Sequence, residues 1–185
     1  VDVEATCVKN GIKHDECIKC HKKLTIEEIK APGHICNNLG ICNRCGDEIP
    51  TQGLKYGLNK EKNHYNVSEY NGKDANVRIP SMYNGLYVTY IASSAFLDCK
   101  NLVSIIIPDT VEYIGASVFS SCRSLISITL PDSITDIWGS TFSECTSLKS
   151  ITIPDNVTMI RSDAFSNCTS LTSITIPDSV TSIGH

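Results

Sequence analysis

The sequence predicts a mainly β chain: a solenoid of short strands joined by 3₁₀ or helical turns, preceded by a small cysteine-rich module. Three observations carry this. Cys99, Cys122, Cys145 and Cys168, four of the ten cysteines, stand 23 residues apart each time. Phe96, Phe119, Phe142 and Phe165, all the phenylalanines of the chain, keep the same interval. The other six cysteines fall within the first 45 residues. A fixed period marks a stack of like units, none of which can bury its apolar face alone. The expected division of the 185 residues is a cysteine-rich module over 1–50, capping strands over 51–87 and about four repeats over 88–185.

Composition narrows the function classes. The formal net charge is -4, so no global basic field exists to hold nucleic acid or an anionic membrane. From residue 91 onward the four basic residues, Lys100, Arg123, Lys149 and Arg161, are outnumbered by acidic ones, which argues further against nucleic acid. No apolar run approaches the roughly 18 residues of a membrane helix, so no membrane insertion is expected in this chain. Charged residues make up 19%, less than the usual quarter, and the surface must be covered by uncharged Ser, Thr and Asn.

The first fifty residues contain Cys7, Cys17, Cys20, Cys36, Cys42 and Cys45. They read as C-x9-C-x2-C with a later G-H, then C-x5-C-x2-C-G. The segment resembles a zinc ribbon, and a small cysteine unit of bacterial surface proteins. Two C-x-x-C pairs favour a tetrahedral metal, because a knuckle turn points both sulfurs at one ion. Three arrangements stay open. Cys7, Cys17, Cys20 and His34 hold one zinc; or Cys17, Cys20, Cys42 and Cys45 share one, leaving Cys7 and Cys36; or the six cysteines form three disulfides in a secreted setting. Any of these is a structural staple, since about fifty residues cannot build enough core without one. No H-E-x-x-H motif accompanies them, and nothing reads as a general base beside an open metal position.

In 51–87, strands are expected near Leu54 to Leu58, Tyr65 to Ser68 and Asn76 to Ile79. Pro80 is the first ladder proline, and a longer connection precedes Val88.

The repeats follow the consensus I-G-x-x-A-F-x-x-C-x-x-L-x-x-I-x-I-P-D-x-V-T-x. Phe and Cys three apart fall on one face of a helical or 3₁₀ turn. The alternating L-x-x-I-x-I run is strand-like. Pro108, Pro131, Pro154 and Pro177 end it, having no N–H to give a ladder. Asp109, Asp132, Asp155 and Asp178 then open a turn, read here as turn caps rather than a Ca²⁺ column. The V-T-x-I piece is a second short extended segment. Stacked turns should lie about 4.8 Å apart.

The stretches AFLDCKNLVSIIIPDTVEYIG from Ala95, SVFSSCRSLISITLPDSITDI from Ser117 and DAFSNCTSLTSITIPDSVTSIG from Asp163 resemble the leucine-rich repeats of the BspA-like, treponemal-type class. The resemblance implies a right-handed leucine-rich-repeat solenoid. It also implies a non-enzymatic cell-surface or secreted protein that adheres to a protein partner, of host extracellular matrix or of another cell. Two other classes are weighed: a spacer or targeting array of a larger surface enzyme, and a metal or thiol-redox module at the N-terminus.

The repeat cysteines share a column with Phe and Leu, and are expected to be buried, free and inert. Four of the five histidines lie at or before position 64 and His185 is terminal, so the array has no internal His to activate Ser or Cys. What remains for function is surface. Ser104, Ser127, Thr129, Ser150, Thr152, Ser173 and Thr175 should form a flat hydroxyl sheet, interrupted by Val103, Ile106 and Ile126. Trp138 and Arg161 occupy the column that is Gly115 and Gly184 elsewhere, and Tyr113 and Met159 stand just before the inward Ile. These are residue types enriched in interface hot spots. Asn66, Asn156 and Asn167 head N-x-S/T sequons. The array stops where the next A-F-x-x-C would begin, which predicts either further repeats or a homodimer through that uncapped face.

Overall fold

The structure is a computed structural model, and it describes residues 51–185. Its first elements are set by local turn chemistry. β1 (Leu54–Leu58) and β2 (Tyr65–Tyr70) pair antiparallel, with Leu58 opposite Tyr65 and Leu54 opposite Tyr70. Asn59 ties the loop between them: its Oδ1 accepts from the backbone N–H of Asn63 at 2.9 Å and of His64 at 3.1 Å. Such a side chain competes with the ladder for backbone groups and so ends a strand. β3 (Asn76–Arg78) follows. The stretch read from the sequence as a long connection is instead a second hairpin, β4 (Met82–Tyr83) against β5 (Leu86–Ile91). Asn84 and Gly85 turn it with φ of 49° and 82°, the positive pair of a type I′ turn that Asn-Gly favours.

Two parallel ladders then run along the solenoid. The first comprises β3, β6 (Ser104–Ile106), β8 (Ser127–Thr129) and β10 (Ser150–Thr152). The second comprises β2, β5, β7 (Tyr113–Ile114), β9 (Asp136–Ile137), β11 (Met159–Ile160) and β12 (Ser182–Ile183). Register is Ser on Ser and Ile on Ile between β8 and β10, and Ile137, Ile160 and Ile183 align in the second ladder. Both ladders are interrupted at one place: β6 and β8 are neighbours without strand pairing, and so are β7 and β9. Residues 173–175 do not form the further strand that the repeat suggests. Ser173 and Thr175 are exposed and Ile174 is only half-buried.

The third side of each turn has no helix. Cys99 N–H donates to Phe96 O, and Leu102 N–H to Cys99 O, as successive three-residue turns. Helix is blocked because each repeat places two residues in the left-handed region: Ser94, Ser117, Ser140 and Asp163, then Asp98, Ser121, Glu144 and Asn167, with φ between 56° and 61°. None is glycine, so each costs on the order of 1 kcal/mol. Their N–H groups are thereby aimed at the next turn. Ser117 N–H reaches Gly139 O at 3.0 Å, and Ser121 N–H reaches Ser143 O at 2.8 Å.

The interior is a set of columns. Phe96, Phe119 and Phe142 are fully buried, and the rings from Phe96 to Phe165 follow one another at 5.5, 5.6 and 5.4 Å. Tyr70 stacks on Phe96 at 5.2 Å and so closes the phenylalanine column at its first end. The proline turns behave as expected, with Val111 N–H on Pro108 O and Val157 N–H on Pro154 O, both at 3.0 Å. The aspartates after the prolines are solvent-exposed. The bond across turns comes instead from the following residue: Thr110 Oγ1 donates to Val88 O, Ser179 Oγ to Val157 O, and Asn156 Nδ2 to Asp132 O, at 2.7–2.8 Å.

Candidate binding surface

The second ladder carries one side chain per turn just before its aligned Ile, which is buried in every turn but the last: Tyr90, Tyr113, Asp136, Met159 and Ser182. One residue after that Ile the column reads Ala92, Gly115, Trp138, Arg161 and Gly184. Glycine is required at two of these positions. A Cβ on Gly115 would lie 2.6 Å from Ser93 N, and one on Gly184 would lie 2.4 Å from Ser162 N. The neighbour that Ser93 provides for Gly115 corresponds to Gly139 for Arg161 and to Ala116 for Trp138. The Arg161 N–H keeps the ladder bond to Ile137 O at 2.9 Å. Trp138 sits where β7 and β9 fail to pair.

The side chains from these two columns form a continuous strip. The Tyr90 and Tyr113 rings stack at 4.6 Å with an interplanar angle of 5°. Trp138 lies tilted against Tyr113 at 5.3 Å. The Arg161 guanidinium sits 3.9 Å above the Trp138 ring and pairs with Asp136 at 2.8 Å. Cation–π contact and ion pair together hold Arg161 in one orientation. Burial, then the neighbouring Tyr90, push the Tyr113 hydroxyl above its ordinary pKa. Tyr113, Trp138 and Arg161, expected as binding residues, are thus brought together. Met159 is exposed and lies in register with Asp136. Tyr90 and Asp136 were missed by the sequence reading, and the signal for both was the 23-residue column of Tyr113.

On the first ladder, Ile106 and Ile126 are both 41% exposed, and Val103 is half-buried beside them. Ile126 N–H bonds Val103 O at 3.1 Å. Beyond them Ser127, Thr129, Ser150 and Thr152 present the expected hydroxyl surface. Both apolar interruptions of that surface flank the step where the ladders break.

Cys99, Cys122, Cys145 and Cys168 are free thiols. Each later thiol bonds a phenylalanine carbonyl in the turn before: Cys122 to Phe96 O at 3.1 Å, Cys145 to Phe119 O at 3.2 Å, Cys168 to Phe142 O at 3.1 Å. The column is therefore one of hydrogen-bond donors as well as of small apolar groups. Burial pushes Cys145 up to about 12 and raises Cys168. Cys122 is raised by its contact with Cys99 and then by burial. The Cys122 thiol beside it holds Cys99 below its ordinary pKa.

Cys7, Cys17, Cys20, His34, Cys36, Cys42 and Cys45 lie outside the described residues. Among the described residues no group of three or more His, Cys, Asp or Glu is placed to hold a metal ion. No helix among them is long and apolar enough to cross a membrane.

Comparison with known proteins places this geometry. Residues 73–185 match the BspA type leucine-rich repeat region in six copies. The match begins upstream of the four plain repeats, so β3 and its turn count among them. A leucine-rich repeat protein of T. pallidum (TpLRR) is 36% identical with a TM-score of 0.69, over 73% of this chain and 63% of its own. One from Bacteroides ovatus is 36% identical with a TM-score of 0.67, over 72% of this chain and 36% of its own. The alignments thus span less than two thirds of either relative. A third, from Bacteroides capillosus, shares the fold at 24% identity and a TM-score of 0.58, over 67% and 94% of the two chains. A comparison with curated protein sequences finds no match. With more than half its length matched, and with ladders, prolines and phenylalanine column in place, the chain belongs to the BspA-type leucine-rich repeat family.

Proposed function

We propose that this chain is a non-enzymatic binding module, secreted or displayed at a cell surface, that adheres to a protein through the strip Tyr90–Tyr113–Trp138–Arg161. A repeat scaffold of this family is consistent with protein binding, and the strip is the observation that carries the reading here. Trp, Tyr and Arg are the side chains that most often anchor interfaces, and these are held rigid by one another before a partner arrives. The exposed Ile106 and Ile126 supply a second apolar contact. The partner class is a host extracellular-matrix protein or a protein of another cell surface.

The test is binding of the labelled full chain to a panel of immobilised matrix proteins and to whole cells. Trp138→Ala and Tyr113→Ala should each weaken binding about tenfold, the loss of one anchor worth roughly 1.4 kcal/mol or more. Saturable binding that both variants retain, or no binding to either, overturns the reading.

The six early cysteines keep their reading as a structural staple of zinc or disulfides. Native mass spectrometry with and without a chelator separates the two. At the other end, half-buried Phe165, Leu171 and Ile174 and exposed Ile183 form a face suited to a further turn or to a second copy in a homodimer. Chromatographic mass across a dilution series distinguishes dimer from monomer.

A further inference from the structure

The thiol column is buried in the middle and half-buried at its two ends, Cys99 and Cys168. Cys122 and Cys145 are fully buried, whereas Cys99 is half-buried and lines a cavity of about 290 Å³ with Tyr70, Asp74, Asp98, Lys100 and Asn101. The cavity exists because the turn before Cys99 does not repeat the F-x-x-C pattern. Tyr70 there continues the phenylalanine column, but Gly72 and Asp74 leave space over the sulfur. Cys99 and Cys122 are also held together. The Phe96 carbonyl accepts both the Cys99 N–H at 3.3 Å and the Cys122 Sγ–H at 3.1 Å. The Cys122 sulfur is thereby fixed beside the residue that carries the Cys99 sulfur. Residues in register on turns about 4.8 Å apart fall within the Cα separation of a disulfide.

We infer that Cys99 and Cys122 are an oxidisable thiol pair: a peroxide entering the cavity oxidises Cys99, and Cys122 then closes a disulfide onto it. In the first step the Cys99 sulfur attacks one peroxide oxygen. The O–O bond breaks, an S–O bond forms, and the second oxygen leaves as water with the thiol proton. In the second step the Cys122 sulfur attacks the Cys99 sulfur. The S–S bond forms, the S–O bond breaks, and hydroxide leaves as water with the Cys122 proton. Two thiols are oxidised by two electrons, and one hydrogen peroxide is reduced to two waters. The order follows from access, because only Cys99 of the pair meets solvent. The lowered pKa of Cys99 favours the thiolate that the first step needs. Closure gives up the Cys122–Phe96 hydrogen bond and adds a covalent cross-link between two consecutive turns of the backbone.

The experiment treats the reduced full chain with hydrogen peroxide, blocks remaining thiols with an alkylating agent, and maps peptides by mass spectrometry. The expected product is a cross-linked pair of peptides carrying Cys99 and Cys122, two hydrogens lighter than their sum. In the untreated protein, Cys99 should be alkylated at least tenfold faster than Cys122 or Cys145. Cys99→Ser should leave Cys122 reduced at the same peroxide dose. Cys122→Ala, checked for native circular dichroism, should leave Cys99 as a sulfenic acid that dimedone traps. Cys99 linked to an early cysteine, Cys99 over-oxidised without a cross-link in the unsubstituted protein, Cys122 oxidised in the Cys99→Ser variant, or both thiols unreactive would each overturn the pair.

Discussion

The step from the turn of β7 to that of β9 and the next step, from β9 to β11, use the same interior and different surfaces. Inside, both steps stack phenylalanines, at 5.6 and 5.4 Å, and both carry a thiol-to-carbonyl bond. Outside, the second step keeps its ladder: Thr158 N–H bonds Thr135 O and Arg161 N–H bonds Ile137 O. The first step lacks strand pairing in both ladders, and there the strip places Trp138 against Tyr113. The difference teaches where a repeat protein of this kind can vary. Stacking is held by buried columns, each turn touching only its neighbours. Ladder bonds at one step can therefore be given up to seat a large side chain without unstacking the array.

The largest test of this contrast is in the core. Phe119→Ala and Phe142→Ala should each cost about 3–5 kcal/mol in denaturant unfolding, as buried Phe truncations do. If the core ignores the interrupted step, the two values agree to within about 0.5 kcal/mol. A gap well beyond that would mean that the irregularity reaches the interior. Next in size, Gly115→Ala drives a Cβ to 2.6 Å from the Ser93 backbone and should cost about 1–3 kcal/mol. Gly139→Ala meets only Ser162 O at 3.3 Å and should cost less than about 1 kcal/mol. Equal costs would show that backbone approach does not set the glycine column.

Hydrogen exchange sharpens the comparison at the level of single amides. The N–H groups of Thr135 and Trp138 should exchange at least tenfold faster than those of Thr158 and Arg161, roughly 1.4 kcal/mol less protection. Equal protection would mean that the two steps are alike in solution. The smallest effect is expected from Ser140→Gly, which relieves a left-handed residue at φ 57°. The net gain is about 0.5–1 kcal/mol, after the entropy that glycine loses on folding. Ser117→Gly, φ 56°, should gain as much, since left-handed residues of this column occur on both sides of the step.

Much of this was legible in the sequence because period survives folding. Phe96, Cys99 and Leu102 announce one turn, and their copies announce the rest; the columns found in the sequence are columns in the structure up to the last turn, where 173–175 form no strand and Ile183 is exposed. The three strands expected between Leu54 and Ile79 also form, within two residues at their ends. The β4–β5 hairpin was obscured because it has no counterpart in the repeat, although Asn84-Gly85 marked it. The left-handed residues were obscured because Ser, Asp and Glu do not advertise positive φ as glycine does. Of the strip, Tyr113, Trp138 and Arg161 stood out as departures from their columns. Tyr90 and Asp136 share the column of Tyr113, but a column by itself does not show which of its side chains will meet across it.

The sequence by itself determined the family, the stacking order and the inward face of every turn, because burial of an apolar column depends on residue type and interval. Only the tertiary structure decided which surface residues meet, where the ladders break and which thiols stay partly open to solvent. Those outcomes depend on contacts between turns 22 to 26 residues apart. A tryptophan in a glycine column or a missing F-x-x-C beside Tyr70 changes the fit there without changing the repeat.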